Sequence, residues 1–306
     1  MKNDLIGVGR TAKQNTVAGI SYLKYNKEYT KRNMGGNAMR EQSIKTERGT
    51  VYYWLSQEWE PERDTIFFFP GLTADHTMFI PQFDYFEGKY NLIAWDAPCH
   101  GKSRPYEGFS FADTSEVIVR ILDKTGVRRI IGVGQSLGGY YIQALMLRHP
   151  ELVQAFIGIG TTPYGRQYYS PSDRFWLRQV GWMSMCYPIQ MMKQAVAKQA
   201  ACTPAGYNNM MAMTACYGKR EYCHLMQMAY NAFLEDNCDL AWHCPVLITH
   251  GEYERTGKVR IYCDMWHRQT GFPLVIVGHA SHNANVDNPR EMNHIMETFL
   301  HDNIGR

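Results

Sequence analysis

Six short apolar runs recur along the chain: Thr65–Phe69, Leu92–Trp95, Arg129–Val133, Ala155–Ile159, Val246–Thr249 and Leu274–Val277. They do not alternate with polar residues, and they are too short for helices. That pattern predicts parallel strands covered by helices on both faces. Ahead of them, Ile44 and Thr46, then Val51, Tyr53 and Leu55, alternate on either side of Arg48-Gly49, which predicts a β-hairpin. Between the runs, apolar positions shift to helical spacing over Asp113–Thr125, Tyr140–His149, Val259–Thr270 and Pro289–Asn303. Strand and helix therefore alternate, and the expected class is α/β with a mostly parallel sheet flanked by helices.

One interval breaks the rhythm. From Thr161 to Ala241 the sequence is helical in character with no core strand, yet it separates two expected neighbours of the sheet. The expected organisation is a core built from residues 41–160 and 242–306, with a helical cap inserted at 161–241. Nine of the 17 methionines fall between Met183 and Met228. Flexible, polarisable methionines suit both the core of such a cap and a wall that adapts to apolar ligands.

Charge changes the picture at one end only. Residues 1–40 hold eight Lys/Arg against two Asp/Glu, whereas the remaining residues carry 24 basic and 27 acidic side chains. Residues 1–40 read as a flexible basic extension without a secretory apolar stretch, with Met34 and Met39 as alternative starts. The slightly acidic body gives no reason to expect nucleic-acid binding, and no stretch approaches the ~20 apolar residues of a membrane span. The eight cysteines form no CxxC pair; Cys238, His243 and Cys244 have ligand chemistry, but their spacing favours buried reduced thiols in a cytoplasmic protein over a metal site. Neither a metal nor a cofactor is expected. The oligomeric state is not legible.

The chemistry concentrates at Gly134-Gln135-Ser136-Leu137-Gly138-Gly139, directly after the third apolar run and before a helix. In that context a G-x-S-x-G sequence forms a sharp turn that lifts the Ser136 hydroxyl beside a helix N-terminus, and flanking glycines avoid clashes with the neighbouring strand and helix. A serine hydroxyl needs a base, and the base needs an orienting acid. His279 and His282, after the last apolar run, both qualify as the base. Glu252 and Glu254, after Val246–Thr249, both qualify as the acid, and residue spacing alone leaves both choices open.

Residues 43–303 resemble the α/β-hydrolase superfamily, in particular lipase- and esterase-like members with helical caps. The resemblance rests on Phe69-Pro70-Gly71-Leu72-Thr73, Asp96–Ser103, the Gly134–Gly138 elbow, His250–Gly257 and Ser281–Pro289. Its register implies Glu254 as the acid, where Asp is usual, and His282 as the base, preceded by Ser281 where Gly is usual. It also implies that His100 is a structural loop residue. His76 lies near the expected pocket, and Asp96 and Asp287 suit turn stabilisation. An oxyanion hole would then use the backbone N–H groups of Leu72 and Leu137.

The resulting expectation is a serine hydrolase cleaving a carboxylic ester of a small or medium apolar substrate through an acyl-enzyme. A serine at the elbow argues against the dehalogenase and epoxide hydrolase relatives, which carry Asp there. Thioesterase, lactonase, amidase, C–C hydrolase and haloperoxidase-like perhydrolase chemistry all fit the same three residues. A non-catalytic ligand receptor and a membrane-surface lipase are the readings from other classes; the basic extension bears on the latter.

Overall fold

The computed structural model describes residues 39–305. Its centre is an eight-stranded sheet in the order β1-β2-β4-β3-β5-β6-β7-β8. The strands are β1 (Arg40–Lys45), β2 (Thr50–Leu55), β3 (Thr65–Phe69), β4 (Asn91–Trp95), β5 (Ile130–Gln135), β6 (Val153–Ile159), β7 (Val246–Gly251) and β8 (Leu274–Val277). β2 pairs antiparallel with both β1 and β4, and every other pairing is parallel. All six apolar runs are strands, and the α/β expectation holds.

Ten α-helices connect or cover these strands among the described residues: α1 (Ile80–Phe86), α2 (Phe111–Thr125), α3 (Leu137–Arg148), α4 (Pro171–Met185), α5 (Ile189–Ala200), α6 (Pro204–Ala215), α7 (Lys219–Asp236), α8 (Val259–Thr270), α9 (Ala284–Asp287) and α10 (Pro289–Ile304). Strands β3 to β7 are buried on both faces because their side chains alternate between two cores, whereas β8, expected to be covered on both sides, is an edge strand and leaves Ile276 exposed. Phe67, Phe69 and Trp95 join Ile118 of α2, Tyr141 of α3 and Trp266 of α8 on one side. Ile66, Phe68 and Ala94 join Phe83 of α1 and Met296 of α10 on the other. Burying one such side chain contributes roughly 1.5–3 kcal/mol, so the two-sided sheet is the main stabilising element.

Several boundaries differ from the periodicity, three of them for reasons visible in the structure. Thr46 is in the hairpin turn, where its hydroxyl accepts from the N–H groups of Arg48 and Gly49 at 3.1 Å. Helix α2 starts two residues early because the Ser110 hydroxyl caps it, accepting from the N–H of Asp113 at 3.1 Å. Helix α3 starts at Leu137 and contains the glycine pair instead of following it. A Cβ on Gly138 would lie 1.8 Å from the Phe69 carbonyl oxygen, so only glycine lets α3 pack this close to the end of β3. Arg40, expected in the N-terminal extension, opens β1 opposite Leu55; residues 1–38 of that extension lie outside the described residues.

Helices α4 to α7 all lie between β6 and β7. Side chains of α7, including Tyr222, Leu225 and Phe233, enter the first core, and small residues of α5 with Met210 and Met213 of α6 enter the second. Polar ties join these helices to the rest of the molecule. Arg148 of α3 forms a two-pronged ion pair with Asp236 of α7. Asp287 accepts from the backbone N–H groups of Cys202 and Thr203, between α5 and α6, and from that of Ser281, at 2.9–3.1 Å. No described helix is long and apolar enough to cross a membrane.

In an unobstructed helix, Gly→Ala gains about 1 kcal/mol. Gly138→Ala is expected to reverse that sign and cost about 3 kcal/mol, because the added methyl overlaps a backbone oxygen that cannot retreat. Urea denaturation of the variant, read as a lower midpoint at unchanged slope, checks this.

Candidate active site

The carboxyl ends of five neighbouring parallel strands converge on one region, where open α/β sheets place their ligand sites. β3 leads into Pro70-Gly71-Leu72, β5 into Ser136, β6 into Gly160, β7 into Glu254 and β8 into His282. Ser136 has φ 51° and ψ −117°, a conformation uncommon for any residue but glycine. Its N–H donates to the Ile159 carbonyl at 2.9 Å, which holds the turn against the end of β6. Strain of this kind costs about 1–3 kcal/mol and persists only where the surroundings impose it. Here the close approach of Gly138 to β3 does so.

His282 and Glu254 are both buried, and the imidazole Nδ1 lies 2.6 Å from Glu254 Oε2. The other carboxylate oxygen accepts from the Thr256 N–H at 2.7 Å. Burial alone would raise the Glu254 pKa. The facing His282 and the bonds from His282 and Thr256 outweigh it, and the carboxyl sits below its ordinary value. An ionised acceptor holds Nδ1 as the donor, leaving Nε2 as the free ring nitrogen. Gly160, with φ 57°, makes this pairing fit: a Cβ there would lie 3.0 Å from His282 Nδ1 and 3.2 Å from Glu254 Oε2.

The alternatives left open by residue spacing are separated in space. Glu252 and His279 are both exposed, and the Glu252 carboxylate accepts from the His279 backbone N–H at 2.9 Å. His100 is buried with Nδ1 2.9 Å from the Pro98 carbonyl; burial pushes its pKa down to about 4, and it lines neither cavity described below. His76 lines neither cavity as well. It stacks on Trp54 with ring centroids 3.4 Å apart, and its Nδ1 is 2.8 Å from Asp96 Oδ1. Burial would lower the His76 pKa, but Asp96, Asp75 and Glu41 outweigh it and raise the value. Asp75, His76 and Asp96 place possible ligand atoms within 4.8 Å of one another. Their oxygens already organise the loop: Asp96 accepts from the His76 and Lys102 N–H groups, and Asp75 from that of Thr77. Cys238 and Cys244 are half-buried free thiols and form no such cluster with His243, so the expectation of full burial is corrected.

Two cavities meet at Ser136. The smaller, about 170 Å³, is lined by Ser136, His282, Leu72, Asn283 and Tyr230 among others. The larger, about 890 Å³, also includes Ser136 and Leu72 and extends along Leu137, Tyr140, Val180, Met192 and Phe233. Among the described residues, neither the Leu72 nor the Leu137 backbone N–H donates to another group. Of the nine methionines between Met183 and Met228, Met183, Met192 and Met226 line the large cavity and Met210 the small one, Met213 is core, Met211 and Met228 pack partly buried against the cores, and Met183, Met185 and Met191 are exposed.

Two neighbours of the site were not singled out from the sequence. Gln135 is buried, and its Nε2 donates to the His282 carbonyl at 3.1 Å and to Asn283 Oδ1 at 3.2 Å. It thereby ties the strand before Ser136 to the loop that carries His282. Its position inside the G-x-S-x-G sequence was the available signal. Thr256, two residues after Glu254, was recognisable from the i, i+2 spacing at which acidic side chains bond local N–H groups.

Comparisons with known proteins agree with this architecture. The profile of the alpha/beta hydrolase fold family matches residues 64–185. The chain is 30% identical over 98 residues to the 2-(acetamidomethylene)succinate hydrolase of Mesorhizobium japonicum, covering 32% of this chain and 35% of that protein. The aligned segments span 28–42% of the lengths of this and two other curated relatives. Among solved structures, the enol-lactonase from Burkholderia xenovorans superposes with a TM-score of 0.69 at 18% identity, covering 85% of this chain and 99% of that one. A carboxylesterase from Bacillus subtilis does so with a TM-score of 0.67 at 16% identity, covering 92% and 98%.

The low His100 value has a measurable consequence. Its folded pKa of about 4 lies below the ordinary value of 6.5. The unfolded chain therefore binds the extra proton first. This contribution to stability is complete above pH 6.5 and is lost as pH falls toward 4, by on the order of 3 kcal/mol. Urea titrations of wild type and His100→Gln across that window should give a shallower slope for the variant. Equal pH slopes would mean that His100 takes up its proton alike in the folded and unfolded states.

Proposed function

We propose that this chain, whose residues 64–185 match the alpha/beta hydrolase fold family, is a serine hydrolase cleaving a carboxylic ester with an apolar acyl or alcohol part. The observation that carries the reading is the buried 2.6 Å contact between His282 and Glu254 beside a cavity that Ser136 also lines. Ser136 Oγ attacks the ester carbonyl while His282 Nε2 takes its proton. The negative charge that develops on the carbonyl oxygen is met by the Leu72 and Leu137 N–H groups. Glu254 stabilises the imidazolium, which then protonates the departing alkoxide, and a water activated by His282 releases the acid.

The large cavity supports an apolar substrate, since its size falls within the range of small-molecule sites and its walls are mainly aliphatic, aromatic and methionine side chains. Helices α4, α5 and α7 supply about half of that wall and, with α6, act as the cap, so substrate choice resides largely in them. Backbone donors make Leu72 and Leu137 tolerant of side-chain change as far as charge stabilisation goes; substitution there reshapes the pocket. Lactone opening follows the same steps with the alkoxide tethered to the acyl group, and the enol-lactonase likeness favours including lactones in any substrate survey.

Ser136→Ala is expected to abolish both labelling by a fluorophosphonate probe and turnover of p-nitrophenyl esters; an active variant would remove Ser136 as the nucleophile. Glu254→Gln should lower kcat by about 10³–10⁴, as loss of the orienting acid does elsewhere. Glu252→Gln should stay within about twofold of wild type, since its carboxylate faces solvent and the His279 backbone. Steady-state kinetics on the same ester, with the reverse ranking as the contrary result, decides between the two acids.

A further inference from the structure

Helix α4 and the segment after it leave an unusual set of large apolar side chains in water. Phe175, Trp176, Trp182, Tyr187 and Met191 are 54–60% exposed, and Met183 and Met185 are exposed as well. Scattered apolar residues on a surface need no explanation, but seven within 17 consecutive positions form a patch. The opposite side of α4 is occupied: Gly181 and Ser184 are buried, and Gln227 of α7 donates to the Arg178 carbonyl at 3.1 Å.

Part of this patch belongs to the large cavity. Trp176, Met183 and Tyr187 are exposed and at the same time line the cavity that reaches Ser136. Its charge is one-sided. From Ser170 to Lys198 the only acidic residue is Asp173, and its carboxylate is held by Lys258 Nζ at 2.6 Å. Arg174 and Arg178 lie on the same helix and form no ion pair among the described residues, on a chain whose body beyond residue 40 carries more acidic than basic side chains.

From these observations we propose that the exposed face of α4 and the 185–191 segment docks on the surface of an anionic phospholipid bilayer, and that the cavity takes a long-chain acyl ester from that bilayer. Tryptophan and tyrosine rings favour the headgroup level, where one end is apolar and the other wet. Arginines beside them draw the helix to negatively charged lipid. A second copy of this chain seated on the same residues would stop the mouth of the cavity, whereas a lipid surface supplies its ligand through that mouth. The choice of ester rests on the serine-hydrolase reading; the docking does not.

The test is flotation of the full-length protein with vesicles of phosphatidylcholine and phosphatidylglycerol at low salt, paired with two activity assays. Phe175 and Trp182 do not line the cavity, so Phe175→Ser/Trp182→Ser leaves the site intact. That double variant should lose about tenfold in the vesicle-bound fraction and about tenfold in hydrolysis of a long-chain p-nitrophenyl ester carried in the vesicles. Its turnover of soluble p-nitrophenyl acetate should stay within about twofold, and its melting temperature should not fall. Arg174→Glu/Arg178→Glu should erase the preference for vesicles containing phosphatidylglycerol over pure phosphatidylcholine. Wild type that stays in the lipid-free fraction, or a double serine variant that floats as well as wild type, overturns the docking. So does a wild-type dimer that the double serine variant loses, without vesicle binding. Ser136→Ala separates the two readings: it should float like wild type while losing turnover, and if it stays active, only the serine-hydrolase reading fails.

Discussion

A carboxylate buried against an imidazole is expensive to hold unless both are fully bonded, and the Glu254–His282 pair is organised around that requirement. Desolvation works against the charged carboxylate. The compensation comes from two sides: His282 Nδ1 on one oxygen and the Thr256 N–H on the other. For the two side chains to meet, the backbone at the end of β6 must pass beside them without a side chain of its own, which Gly160 permits. The turn after β7, the turn after β8 and the end of β6 thus pack on one another through this pair.

The same region shows how a parallel sheet holds loops that share few backbone bonds with one another. Buried side chains link them. Gln135 reaches from the end of β5 to the His282 loop, and Asp287 gathers N–H groups from that loop and from the segment between α5 and α6. The Asn283 N–H donates to the Ala200 carbonyl at 2.8 Å, adding a direct tie between the loop and α5. The four helices between β6 and β7 are therefore anchored at the edge of the cavity as well as through the apolar cores. This gives the large cavity one wall from the sheet side, at Leu72, Ser136 and Leu137, and another from the inserted helices.

Legibility in the sequence followed the range of the interactions involved. Strands β3 to β7 were readable because burial on both faces leaves a local mark, an unbroken apolar run; β8 carries the same mark although, as an edge strand, it leaves Ile276 in solvent. The sharp turn at Ser136 was readable because its glycines are required by contacts within one strand–turn–helix unit. The start of α3 was misplaced for a related reason: glycine usually interrupts a helix, and only the approach of the Phe69 carbonyl explains two glycines in a first turn. Helix α1, with Ile80, Phe83 and Phe86 buried, was not anticipated, because seven residues are too few to establish a period.

The sequence by itself determined which stretches become strands, that they alternate with helices, and that a strained serine turn follows the fifth strand, since local patterning and steric limits decide these. It offered two histidines and two glutamates without distinguishing between them, as each pair lies on one short loop with similar spacing. Tertiary structure turned Glu254 and His282 inward and left Glu252 and His279 in solvent. It also fixed the size of the cavity and placed Trp176 and Met183 of α4 on its wall. The physical reason is that burial, dielectric environment and hydrogen-bond partners at these positions come from strands and helices up to about 150 residues away along the chain, as in the bond from Gln135 to the His282 loop.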